Sequence, residues 1–195
     1  MGSYFLKAYI KSRNYYNTEE EFESIRLTLK YSPCPHCRHR GCLILHGYLY
    51  GYTEDISSNV VKRGHRIFCS NRRKKKGTGC GRTFSILMAA FIKSHNITAK
   101  SVWTLLDSIK EEKSLVSALR RSDSDIKEAG IYHIIRRFKN NQAKIRTLLM
   151  SLKDPPVLKH TKDSIIQTIE HLRSAFKGST CPVSQFQYYF QTSFL

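Results

Sequence analysis

The placement of the cysteines limits what this chain can become more than any other feature. Cys34-Pro35-His36-Cys37 is followed, after 31 residues, by Cys69 and, after ten more, by Cys80. A close Cys-x-x-Cys with two further cysteines downstream reads as a metal site. Zinc takes four thiolates tetrahedrally in structural sites, so Cys34, Cys37, Cys69 and Cys80 are the expected ligands of one structural zinc ion. Four thiolates leave no open coordination position, which argues against a catalytic metal. Pro35 and the turn-like Arg38 to Gly41 let the first knuckle fold back, and Gly77, Gly79 and Gly81 surround Cys80 with backbone freedom. The second interval is longer than the two to four residues of an ordinary knuckle and holds Arg72, Arg73, Lys74, Lys75 and Lys76. His36 and Cys42 are the alternative ligands. A thioredoxin-like redox pair would need a helix after Cys37, where the sequence has a turn. The distant Cys181 reads as a small buried hydrophobe.

The residues between the knuckles are β-patterned. Cys42 to Tyr52 alternates and is rich in Leu, Ile and Tyr; Val60 to Cys69 forms a second run, with a kink expected at Gly64; Arg82 to Leu87 forms a third. Three short strands around two metal knuckles make a zinc ribbon. A core of that size does not hold by itself, and the metal supplies the missing stability. Before it, Thr18 to Leu29 reads as a helix capped by Thr18 with Glu21 three residues on, burying Phe22, Ile25 and Leu29. His46 and His65 read as surface or packing residues.

Composition matters here through charge. The formal net charge is +18, and residues 34–100 carry 13 Lys or Arg against Glu54 and Asp55 alone. Such a balance calls for a polyanionic partner. No apolar run approaches the ~20 residues that span a bilayer and no signal peptide is evident, so the expected location is cytoplasmic and nucleoid-associated, with no membrane partner. Arg72 to Lys76 is expected to grip phosphate, giving affinity and salt dependence without sequence preference.

The rest of the chain is helical. Val102, Leu105, Leu106 and Ile109 share a face after a cap at Thr98; Ser114 to Arg121 is a short second helix; Asp125 with Glu128 is the expected cap of the next. That helix sets Ile131, Ile134, Ile135 and Phe138 on one stripe and leaves Tyr132, His133, Arg136, Arg137 and Lys139 outside it. Two short helices, a polar turn and a basic amphipathic helix make a helix-turn-helix candidate, in which these five residues would face double-stranded DNA. Asp163 to Phe176 is a further helix. The uncharged aromatic stretch from Pro182 to Leu195 is expected to pack back on the body or to meet a protein partner such as a recombinase.

The fold expected is thus α+β, a small zinc-ribbon β module followed by an all-helical, helix-turn-helix-like domain. Its divisions are 1–30 (helical segment), 31–92 (ribbon), 93–155 (DNA-reading domain) and 156–195 (helix and aromatic tail). Cys34-Pro-His-Cys37, Leu45-His-Gly-Tyr48, Arg66-Ile-Phe-Cys69 and Cys80-Gly-Arg-Thr-Phe-Ser85 together resemble the N-terminal zinc ribbon of bacterial insertion-sequence transposases. Gly130 to Phe138 is similar to the last helix of the helix-turn-helix that follows it there. The resemblance covers roughly residues 31–150 and implies binding to the DNA of a mobile element. The basic insertion before Cys80 departs from that pattern.

A transposase of this kind also needs a nuclease domain with three separated carboxylates. No strand-borne acidic set stands out after residue 100, and Tyr188 or Tyr189 lacks the Arg-His-Arg context of a recombinase nucleophile. A non-enzymatic DNA-binding protein is therefore expected, a regulator or accessory factor. The alternative is an adaptor that recruits a recombinase or polymerase through the tail, its basic surface binding RNA or DNA non-specifically. The oligomeric state is left open.

Overall fold

A computed structural model describes residues 13–54, 60–71, 79–112, 114–122, 126–157 and 163–195. The chain is mixed α+β. Its strands are β1 (Tyr15–Tyr16), β2 (Leu43–Tyr52), β3 (Val60–Cys69) and β4 (Thr83–Met88). Helix α1 (Glu19–Thr28) precedes β2; α2 (Ala99–Ile109), α3 (Leu115–Arg121), α4 (Glu128–Met150), α5 (Ser164–Ala175) and α6 (Pro182–Phe190) follow the sheet. The sheet order is β1-β4-β3-β2, with β2–β3 and β3–β4 antiparallel and β1–β4 parallel.

The three expected strands form within a residue of their expected ends. The two-residue β1 has no sequence signature, because a strand that short has no period to read. Gly64 adjoins an irregularity of β3, at the place of the expected kink, and has a further purpose: a Cβ there would lie 2.4 Å from the Ile86 carbonyl oxygen, so its lack of a side chain lets β3 and β4 close up. The β2–β3 ladder shifts register twice, between Leu45 and Gly47 of β2 and between Leu49 and Tyr50, where Arg63 of β3, next to Gly64, is skipped.

Helix α1 starts as its sequence dictates. Thr18 Oγ1 accepts from the Glu21 N–H at 3.2 Å, and the Glu21 carboxylate accepts from the Asn17 N–H at 2.9 Å. The reciprocal bond thus goes one residue before the cap. Phe22, Ile25 and Leu29 then pack with Ile67 and Ile86 of the sheet in one buried cluster that also contains Cys34, Cys42 and Cys69. The cysteine-bearing turns and the α1 core are therefore one packed unit.

The second core joins α2, α4, α5 and α6. Val102, Leu105, Leu106, Ile131, Ile135, Phe138, Ile169, Leu172, Phe186 and Phe194 all belong to it. Burial of each such side chain contributes roughly 1.5–3 kcal/mol before chain entropy is counted. The aromatic tail folds as α6 and packs back on the body, with Phe194 and Leu195 in this core, so residues beyond 156 share the interior of the preceding helices. Trp103 packs against the same core, under the Arg173 guanidinium. Helix α4 begins later than the expected Asp125 cap: its N-cap is Lys127, whose side chain makes no capping bond. Asp125 itself lies outside the described residues.

Polar side chains lock the two cores together. Buried Arg63 of β3 donates to the carbonyls of Ile92 and, at close to the same distance, His95, and its guanidinium lies over the Phe91 ring. Glu54, just beyond β2, accepts from the Thr98 N–H at 2.9 Å, the Thr98 hydroxyl at 2.7 Å and the Ser101 hydroxyl, seating a carboxylate at the positive end of α2. Gln187 of α6 donates to the carbonyls of Ala89 and Phe91. Gln191 accepts from the Tyr15 N–H at 2.9 Å and donates to the Tyr15 carbonyl at 3.1 Å, completing the free edge of β1 as another strand would.

Candidate metal centre and basic helix face

Cys34 and Cys37 come from the turn between α1 and β2, Cys69 from the end of β3, and Cys80 from the approach to β4. Their four Sγ atoms lie within 4.8 Å of one another. Cys34 Sγ is 3.9 Å from Cys80 Sγ, and Cys37 Sγ is 3.7 Å from Cys69 Sγ. A tetrahedron with Zn–S bonds of ~2.3 Å has S···S edges of about 3.8 Å. The donor set and its spacing therefore fit one metal ion, and all four expected ligands are brought together.

Both knuckles are built from the backbone. The Arg38 N–H donates to the Cys34 carbonyl and the Cys34 N–H to the His39 carbonyl, each at 2.9 Å, with Arg38 in the left-handed region at φ 64°. The His36 N–H donates to Cys34 Sγ at 3.4 Å. Across the site, the Cys80 N–H donates to Cys69 Sγ at 3.3 Å and the Gly81 N–H to the Cys69 carbonyl at 3.0 Å. A Cβ on Gly79 would sit 2.5 Å from Cys69 Sγ, so only glycine allows the chain to pass so close to the ligand.

The N–H···S bonds and burial divide the thiols. The His39 backbone N–H, with smaller help from Cys69 and Cys34, draws the Cys37 thiol down to about 6. Burial pushes Cys34 and Cys69 up, and the adjacent Cys42 adds to the rise at Cys69. Without a cation the cluster resists collecting four negative charges; a divalent ion reverses that preference by binding thiolates.

Cys42, weighed as an alternative ligand, is the cluster's nearest neighbour. It is buried, with Sγ 3.3 Å from Cys69 Sγ and 3.5 Å from the His39 carbonyl. It is outside the four-sulfur group and placed to donate an S–H to a Cys69 thiolate, a supporting contact of the kind that tunes a ligand. His36 is exposed, its ring 6.4 Å from that of Phe84. His46 is exposed, while His65 is buried, stacked on Phe22 and 3.1 Å from Glu19. Cys181 is the N-cap of α6, where its Sγ accepts from the Ser184 N–H.

The expected DNA-facing residues divide into two groups. Arg72, Arg73, Lys74, Lys75 and Lys76 lie outside the described residues. Tyr132, His133, Arg136, Arg137 and Lys139 are all exposed on α4, while Ile131, Ile134, Ile135 and Phe138 of the same helix are buried. His133, Arg136 and Arg137 line a shallow depression with Asn140 and Asn141. Partial desolvation, then Arg137, His95 and Arg136, hold the His133 imidazole below its ordinary value. Helix α3 packs between α2 and α4. The basic face runs past Lys139 to Lys144, which the residue spacing already contained: 137, 140 or 141, and 144 recur on one helical stripe. His95, whose ring is 5.7 Å from that of His133, had no sequence signal, because the fold alone brings the turn before α2 against α4.

Among the described residues no helix is long and apolar enough to cross a membrane. No family model, curated protein or solved structure matches the chain. The functional reading accordingly rests on the site itself.

Proposed function

We propose that the protein is a non-enzymatic DNA-binding protein in which one structural zinc ion, held by Cys34, Cys37, Cys69 and Cys80, folds a ribbon beside a helix-turn-helix-like reader. The observation that carries the reading is the exposed face of α4. It offers His133, Arg136, Arg137 and Lys139 to solvent, and among the described residues none of the three cations among them, Arg136, Arg137 and Lys139, pairs with a carboxylate. Elsewhere several acids are spent on other cations: Asp107 on Arg173, Glu170 on Lys110, Glu111 and Glu112 on Arg121. Unneutralised guanidinium groups on a rigid helix suit phosphate and guanine recognition. Zinc is preferred to other metals because four thiolates in a tetrahedral spacing are its usual structural set. A role as regulator or accessory factor of a mobile genetic element rests on the resemblance of the ribbon sequence alone, and a nucleoid-associated location follows from the DNA reading.

Selection from a random pool of duplex DNA by the zinc-loaded protein, at near-physiological salt, tests this. A recovered motif, lost in an Arg136→Ala/Arg137→Ala variant, is the expected result. Retention without a motif favours the adaptor reading, in which the basic surface holds nucleic acid non-specifically. That reading draws on the exposed Tyr48, Tyr50 and Tyr52 along the edge strand β2, since most of the tail's aromatic surface is committed to the core.

A further inference from the structure

Between the ribbon and the helical half lies a cleft of about 630 Å³. One bank is the ribbon, through His36 and the hydroxyls of Thr83 and Ser85; the other is Lys93, from the turn before α2, and Lys144 of α4. Among the described residues no acidic side chain lines it. Lys93 and Lys144 are exposed, and among the described residues neither meets a carboxylate; Lys144 Nζ donates instead to the Thr192 hydroxyl at 2.8 Å. The cleft and the depression lined by His133, Arg136 and Arg137 share no lining residue but border the same stripe of α4, on which Lys144 follows Arg137 by two helical turns. The turn that supplies Lys93 also sets His95 against His133. From His133 to Lys144 the stripe covers about 16 Å of helix axis at ~1.5 Å per residue.

A row of cations flanked by hydroxyl donors and free of acids matches a phosphate backbone, which presents repeated negative charge with acceptor oxygens. We propose that the sugar-phosphate backbone of the duplex met by α4 runs on into this cleft, where Lys93 and Lys144 contact phosphates and the ribbon supplies the opposite bank. The ribbon and the helical half then grip one duplex together. The inference rests on the DNA reading of α4 and adds residues that the helix-turn-helix pattern does not contain. Lys93 and Lys144 set affinity and salt dependence; Arg136 and Arg137 set preference.

The test compares three variants of the zinc-loaded protein on a selected duplex, a random duplex and a single strand, across a salt series. Lys93→Ala/Lys144→Ala should weaken binding to both duplexes alike and lower the slope of log affinity against log salt by about two, one per phosphate contact. Lys93→Arg/Lys144→Arg keeps the charge and should restore the slope, which separates a lost contact from a disturbed fold. Arg136→Ala/Arg137→Ala should weaken the selected duplex more than the random one. An unchanged slope in Lys93→Ala/Lys144→Ala, with the Arg136→Ala/Arg137→Ala effect intact, overturns the cleft assignment and leaves the α4 reading standing. No effect from either variant overturns both. A slope change confined to single-stranded DNA overturns the claim that the cleft holds a duplex.

Discussion

Cys69 Sγ sits among Cys37 Sγ at 3.7 Å, Cys42 Sγ at 3.3 Å and the Cys80 N–H at 3.3 Å. A buried sulfur so surrounded has no water to replace a lost ligand bond. Cys69→Ser is expected to lose the metal and the ribbon's fold, whereas Cys42→Ala should still bind one ion per chain with lower affinity. Metal stoichiometry by native mass spectrometry distinguishes the two, and loss of the ion in Cys42→Ala would make Cys42 a ligand. His65 gives a second residue-scale expectation. Burial holds its imidazole below the ordinary value, against a smaller opposing pull from Glu19. The folded chain thus keeps His65 neutral at pH values where the unfolded chain, titrating near ~6.5, takes up a proton. Stability from this residue is full above that value and falls as pH drops through it toward the folded pKa. The Tm advantage of the wild type over His65→Gln should therefore shrink between pH 7.5 and 5.5; a constant difference would show that His65 does not titrate differently on folding.

At the scale of elements, four of the helices start where a side-chain oxygen satisfies one of their first N–H groups. Thr18, Thr98, Ser114 and Asp163 each accept from the first turn of their helix, and these four starts were readable or nearly so from local sequence. Helix α2 has an additional partner that local sequence does not reveal. Glu54, 44 residues before Thr98, bonds its backbone and hydroxyl and so anchors the β2–β3 end of the ribbon to the helical half. Glu54→Gln keeps the shape and removes the charge at the helix N-terminus. We expect a loss of about 0.5–1 kcal/mol in denaturant unfolding, with little change in metal content. A neutral effect would mean that the hydroxyl and backbone contacts need no charge.

Among the described residues the apolar interior forms two large clusters and a small third one of Tyr15, Leu87 and Ala89, and one of the large ones contains Cys34 and Cys69 with Cys37 packed against it. Chelation should therefore act unevenly. Amide hydrogen exchange is expected to speed up by orders of magnitude in β2, β3 and β4 once the ion is removed, while α4 and α5, whose core holds Phe138, Ile169 and Leu172, keep most of their protection. Equal loss of protection in both clusters would show that the Arg63, Glu54 and Gln187 contacts couple them into one cooperative unit.

The cysteines that cluster, three strands of the sheet and the apolar stripes of α1, α2 and α4 were legible in the chain itself. Each depends on short-range spacing: cysteines in knuckles, alternation in strands, and recurrence every three or four residues in helices. The basic face of α4 was legible for the same reason, as the complement of its buried stripe. The tertiary structure alone decided what depends on distant residues meeting. It put Tyr15 and Tyr16 into the sheet, because a two-residue strand is defined by its partner β4 and by Gln191, 176 residues away from Tyr15. It turned the aromatic tail into α6 and the core residues Phe186 and Phe194, and it set Cys42 beside Cys69 as a neighbour of the ligand cluster. It also brought Lys93 and His95 against α4 to form the acid-free cleft, since packing of the two cores, with no local pattern to announce it, places a surface turn beside a distant helix.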